Sequence, residues 1–240
     1  MAEKLISFDL RADFGFFKKP DVNDGLVMTF NLLHRPALLG LFGAIVGLRG
    51  YEVKGEKPEY LDVLDGLGVG IAPINFEGEP MRHDKGNFQK TVIKYSNTVG
   101  YANANETGKS GANLLITEQT LVRPAYRCFV ILDLADKTQT ILYERIRRGE
   151  AYFLPYLGKN ECLASWENVV EWEAFRPFAP TEKEFRIESI FIRKHAVHST
   201  KVEPKYVPSK RAVINASSFI YFERLPSGFD EQLFQYELSE

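Results

Sequence analysis

The stretch Arg35-Pro36-Ala37-Leu38-Leu39-Gly40-Leu41-Phe42-Gly43-Ala44-Ile45-Val46-Gly47-Leu48 sets the frame for the whole chain. Pro36 suits the first turn of a helix, where its missing N–H would have no partner anyway. The residues after it are apolar on every side, which predicts a helix buried in a core. Gly40, Gly43 and Gly47 fall three and four apart, so they share one helix face. Each costs about 1 kcal/mol of helix stability against alanine. Three on one face therefore point to close packing, expected against the sheet of the same domain. The Gly43–Gly47 spacing also matches a membrane dimer motif, but an apolar run of about 13 residues is too short to span a bilayer.

Outward from this helix the chain reads mostly as strands. Residues 5–11 alternate, with Ile6, Phe8 and Leu10 on one side and Ser7, Asp9 and Arg11 on the other, as in a half-exposed strand. Asn23-Asp24-Gly25 is a turn signal, and 26–33 is expected to lead into the helix as a strand. Residues 58–65 predict two helical turns and 67–76 a core strand. Residues 88–96 alternate again, with Thr91, Ile93 and Tyr95 against Lys90, Val92 and Lys94. A polar loop over 97–113 and a strand over 114–122 complete a protruding hairpin. Residues 126–134 predict a strand, 138–148 a helix with Leu142 and Ile146 on one face, and 164–175 a strand. Three more strands are expected at 184–194, 211–223 and 229–238. With the hairpin set aside, the order is β-α-β-β-α-β. The expected fold class is therefore α+β: a ferredoxin-like (RRM-like) domain over 1–172, a hairpin inserted at about 82–123, and a β-rich extension over 173–240.

The totals are those of an ordinary globular chain. The 240 residues are 45% apolar and 26% charged, with a net charge of −2. That balance announces neither a nucleic-acid nor a membrane partner. Charge is nevertheless segregated. Residues 183–211 hold eight bases against three acids, whereas 52–84 hold eight acids against three bases. Cys128 and Cys162 cannot form a disulfide framework, no run is long enough for a membrane span, and a reduced, cytoplasmic location is expected.

Few motifs carry chemistry. Gly66-Leu67-Gly68-Val69-Gly70 fails as a dinucleotide loop, because its third glycine comes one residue early and Pro73 follows where a helix should open. His195 and His198 lie three apart beside Arg193 and Lys194. A metal would need a third ligand that is not nearby in sequence, so no metal and no cofactor is expected. The same histidines are candidates for acid–base work in RNA cleavage, or else ordinary residues of a basic strand. The hairpin region carries Lys85, Lys90, Lys94, Tyr95, Tyr101, Lys109 and Arg123. Lysines neutralise phosphates and tyrosines stack on unpaired bases, although a solvated hairpin has the same composition.

Three stretches taken together resemble a known family. The first is Phe16-Phe17-Lys18-Lys19-Pro20 with His34-Arg35-Pro36 and the glycine helix. The second is Thr117-Glu118-Gln119-Thr120-Leu121-Val122-Arg123-Pro124-Ala125-Tyr126-Arg127. The third is Pro155-Tyr156-Leu157-Gly158-Lys159-Asn160-Glu161-Cys162-Leu163-Ala164. Their order and separation resemble the fifth CRISPR-associated (Cas) protein family, in the RAMP superfamily of modified RRM-like folds. The resemblance implies a non-catalytic subunit of a type I Cascade surveillance complex, closest to the I-B branch. Such a subunit holds the 5′ handle of the CRISPR RNA and packs against the backbone subunit and the large subunit, near target DNA at the PAM. It uses the inserted hairpin as a thumb over kinked RNA. The RNA-binding residues expected on this reading are Lys18, Lys19, Arg35, Lys94, Tyr95, Tyr101, Lys109 and Arg123. Arg35 is expected to meet a phosphate at the helix N-terminus. In a related branch the subunit is a metal-independent endoribonuclease, which is the alternative, with His195 or His198 in the acid–base role.

Overall fold

The computed structural model describes residues 3–19, 25–79, 88–97 and 114–172, together with five short strand segments farther along the chain. The elements are β1 (Glu3–Ala12), β2 (Phe14–Gly15), α1 (Arg35–Val46), α2 (Glu59–Val63), β3 (Gly68–Ile74), β4 (Lys90–Asn97), β5 (Leu114–Val122), β6 (Ala125–Asp133), α3 (Lys137–Arg148) and β7 (Ala164–Trp172). Then come β8 (Phe175–Pro177), β9 (Ala196–His198), β10 (Tyr206–Pro208), β11 (Ile220–Tyr221) and β12 (Gln235–Leu238).

The central sheet has the order β3-β6-β1-β7, and every neighbouring pair is antiparallel. The chain is α+β, with α1 between β1 and β3 and α3 between β6 and β7, an arrangement compatible with the ferredoxin-like order expected. Ile6, Phe8 and Leu10 of β1 join Cys128, Val130 and Leu132 of β6 in the core, against Leu38, Phe42 and Ile45 of α1 and Leu142 and Ile146 of α3. Each such side chain, fully buried, contributes about 1.5–3 kcal/mol. The Phe8 and Phe42 rings meet edge to face at 6.1 Å.

α1 is buried through Leu38, Leu39, Leu41, Phe42 and Ile45, as its composition predicts. Its glycines, however, do not lie on the sheet. Gly40 and Gly43 receive the Tyr60 ring of α2, and a methyl on Gly43 would stand 2.6 Å from Tyr60 Cβ. Burial beside Tyr51 pushes the Tyr60 hydroxyl up to about 12. Gly47 is the left-handed cap of the helix, φ 89°, and faces Tyr152. The last-turn carbonyls of α1 are satisfied from outside. Tyr152 N–H and the Arg145 guanidinium donate to Ile45 O at 3.1 and 2.7 Å, and Phe153 N–H to Ala44 O at 2.9 Å.

Other readings need correction. Residues 26–33 form no strand; they run beside the hairpin through the isolated bridge of Val27 with Glu118, and beside the segment after β2 through that of Lys18 with Thr29. The polar side of β1 is not exposed. Ser7 and Asp9 are 2% and 1% accessible. Ser7 Oγ accepts from Trp172 Nε1, and the Asp9 carboxylate accepts two bonds from Arg127, at 2.7 and 3.0 Å, and one from Asn168. A charge buried this deeply requires such partners. A bulge between β1 and β7 brings Asn168 to it, with φ 52°. The strand expected over 164–175 ends at Trp172. Of the three expected later strands, 184–194 lies outside the described residues, while β11 and β12 fall within the other two. Both cysteines are free and buried. Among the described residues no helix is long and apolar enough to cross a membrane.

Candidate nucleic-acid interface

The hairpin strands β4 and β5 pair antiparallel in the register Lys90–Leu121, Val92–Gln119, Lys94–Thr117 and Tyr95–Ile116. With β2 they form a second sheet, in the order β2-β5-β4. Residues 98–113, Tyr101 and Lys109 included, lie outside the described residues, as does Lys85. Strand alternation separates the side chains of β4 and β5 into two faces.

One face carries Lys90, Val92 and Lys94, opposite Leu121, Gln119 and Thr117. Val92 and, farther out, Leu115 are 52% and 78% accessible. At its root stands Lys19, whose ammonium lies 5.7 Å over the Phe30 ring. Lys90 is held below the ordinary lysine pKa, first by partial burial and then by the positive charge of Lys19. Lys18 and Lys94 are exposed. None of these four lysines has an ion-pair partner among the described residues. Like charges with no carboxylate partner among the described residues favour an incoming anion.

The other face is tied to the body of the protein. Tyr95 shares it with Glu118, and Lys159 completes it from the loop between α3 and β7. The Lys159 ammonium donates to Glu118 Oε2, and to the Tyr95 hydroxyl at 3.2 Å; that hydroxyl donates to Glu118 Oε2, also at 3.2 Å. Lys159 also lies over the rings of Phe16, at 4.5 Å, and Tyr95, at 5.4 Å. Partial burial would lower the pKa of Lys159, but the bonds to Glu118 and Tyr95 outweigh it, and the ammonium stands above the ordinary value. The loop that carries Lys159 is itself pinned. Phe16 N–H donates to Leu157 O at 3.0 Å, and Gly158 has φ 85°, with its would-be Cβ position only 1.8 Å from Phe16 O. Only glycine fits there.

The expected site residues therefore part company. Lys19 and Lys94 share the root and the lysine face of the hairpin with Lys90, whereas Lys18 is exposed in the bridge opposite Thr29. Tyr95 is on the tied face, with its hydroxyl engaged. Arg35 is 1% accessible and its guanidinium donates to Asp65 O and Leu67 O, at 2.5 and 3.0 Å. It joins α1 to the chain entering β3, so the phosphate contact expected of it is replaced by a structural role. The N-terminus of α1 is capped instead by His34, whose Nδ1 accepts from Ala37 N–H at 3.3 Å. Burial lowers the His34 pKa, and its ring packs edge-on against Phe17 and Phe30. Arg123 stands at the turn from β5 to β6 with its guanidinium 3.8 Å from the centre of the Phe76 ring. His195 lies outside the described residues, and His198 is in β9 opposite Tyr206.

Phe76 is expected only as the end of the core strand over 67–76, with no functional role, whereas β3 ends at Ile74. Lys90 is one of the hairpin bases but not among the RNA-binding residues expected from the sequence. Lys90 was detectable from the alternation with Lys94. The Glu118–Lys159 pair, 41 residues apart, left no local signal.

No protein-family pattern matches the chain, and no curated protein matches it. Several solved structures are similar to it at low identity. A chain of a CRISPR RNA-guided surveillance complex aligns with 65% of this chain and 58% of its own length, at 17% identity and a TM-score of 0.41. A crystal structure of a Cas protein aligns with 65% of this chain and 57% of its own, at 13% identity and a TM-score of 0.39. This chain thus spans less than two thirds of the length of both. A CRISPR protein from Archaeoglobus fulgidus aligns with 99% of this chain and 92% of its own, at 12% identity and a TM-score of 0.34.

Proposed function

We propose that this protein is a CRISPR-associated, RNA-binding subunit of a type I Cascade-like surveillance complex, without catalytic activity of its own, acting in antiviral defence. On this reading it caps the 5′ handle of the CRISPR RNA, in the manner of the I-B branch. It contacts the backbone and large subunits and lies near target DNA at the PAM. The observation that carries the reading is the set of lysines at the root and along one face of the hairpin, Lys19, Lys90 and Lys94, which have no ion-pair partner among the described residues. Further support comes from the three sequence stretches. In the fold they are neighbours: the Lys159 loop docks on Phe16, and its ammonium reaches Glu118 of the second stretch.

Phosphates would lie along the lysine face and release counterions on binding, which makes affinity fall steeply with salt. The test incubates the purified protein with cognate repeat RNA in chelator. Salt-sensitive binding with intact RNA is expected. A defined cleavage product would overturn the non-catalytic reading and favour the ribonuclease alternative.

A further inference from the structure

We infer that Arg123 and Phe76 form a stacking platform for one unpaired nucleobase at the foot of the hairpin; this rests on the RNA-binding reading above. Three observations converge on Arg123. Its guanidinium carbon lies 3.8 Å over the Phe76 ring centre, and Arg11 approaches the same ring at 5.5 Å. Its backbone is left-handed, φ 48°, a conformation that costs a long side chain about 1 kcal/mol or more. Arg123 N–H donates to Asp13 O at 2.8 Å, which holds the turn in place.

The third observation is a difference. The other arginine side chains described, from Arg11 to Arg148, each give their guanidinium an acceptor or an ion partner. Arg123 alone among them has only the aromatic ring. It is exposed, and its side-chain donors have no partner among the described residues. Its guanidinium carbon is held 3.8 Å over the Phe76 ring centre. A guanidinium oriented this way offers a flat cationic surface, on which an unpaired base stacks.

The position suits a single-stranded nucleic acid. Val122, just before Arg123, donates its N–H to Gln89 O at 2.9 Å, and Gln89 immediately precedes Lys90. The platform is therefore continuous along the backbone with the lysine face. A strand whose phosphates follow Lys94 and Lys90 would bring a base to Arg123 at the hairpin's foot. Lysine in place of Arg123 would keep the charge and lose the plane.

The test uses short single-stranded RNAs, each with 2-aminopurine at one position, and the full-length protein. The wild type should quench the fluorophore strongly at one position. Arg123→Lys should abolish that quench and weaken binding about 5- to 30-fold, with the salt dependence unchanged. Arg123→Asn, which suits a left-handed backbone, separates loss of the plane from backbone strain. Phe76→Leu should give an intermediate loss while the arginine is intact. Loss of affinity with the quench unchanged would make Arg123 a phosphate contact and overturn the platform. Binding and quench both unchanged in Arg123→Lys would also overturn it, while leaving the RNA reading in place. A wild type that binds none of the RNAs would overturn both.

Discussion

The two faces of the hairpin are built from alternate residues of the same strands, yet they are opposite in kind. On one face Lys90 and Lys94 stand without carboxylate partners among the described residues. On the other, one residue along, Tyr95 joins Glu118 and Lys159 in a closed, bonded cluster. Lysine itself does not decide the role. Lys159 has a buried carboxylate beside it, and its charge is spent on holding the hairpin to the body. Lys90 has another lysine nearby, and its charge remains available. Period-two alternation gives one short ribbon both an anchored face and an open, cationic one.

This contrast can be broken from the anchored side first. The largest effect is expected for Gly158→Ala. A Cβ there would meet Phe16 O at 1.8 Å from a backbone already at φ +85°, and the loss should be about 3 kcal/mol or more, read by urea unfolding. Lys159→Met comes next. It leaves Glu118, 7% accessible, without its cation and should cost about 2–3 kcal/mol, below the range for fully buried pairs because Lys159 is partly exposed. Adding Glu118→Gln should restore most of that stability. A double variant no better than Lys159→Met alone would remove the ion pair from the account.

A smaller effect belongs to pH. His34 caps α1 as a neutral acceptor, and its folded pKa lies below the usual 6.5. The unfolded chain therefore takes up a proton that the folded protein resists. Stability should be full above pH 6.5 and fall, by on the order of 1 kcal/mol, as pH drops through 6.5 toward the lowered folded value. His34→Asn should keep a cap and flatten this dependence; an unchanged pH profile would assign it elsewhere. The smallest effect is predicted on the open face. Lys90→Met removes a like charge near Lys19 and should leave stability within about 0.5 kcal/mol or raise it slightly, measured by thermal melting.

Much of the fold could be read from the order of strongly periodic segments. The glycine helix, the alternation of β4 and the Leu142–Ile146 face all declare themselves locally. What escaped was set by distant partners. Three glycines on one face predict a close neighbour, but only the tertiary fold makes that neighbour Tyr60. Alternation in β1 predicts a polar outer face, but Arg127 and Asn168 are needed to make Asp9 a buried residue. The same limit divides the candidate site. Lys94 was visible as one member of an alternating strand, whereas Arg35 looked equally suitable at a helix N-terminus. Its use as an internal brace depends on carbonyls 30 and 32 residues away.

On the proposed reading, RNA lies along the lysine face of the hairpin. Its most direct test is the salt dependence of RNA affinity for the wild type and for the Lys90→Ala/Lys94→Ala double variant. Each lysine that neutralises a phosphate of a single strand contributes about 0.7 to the slope of log affinity against log salt. The double variant should therefore bind more weakly, with a slope shallower by about 1.4 and unchanged melting. An identical slope and affinity in the two proteins would contradict the claim.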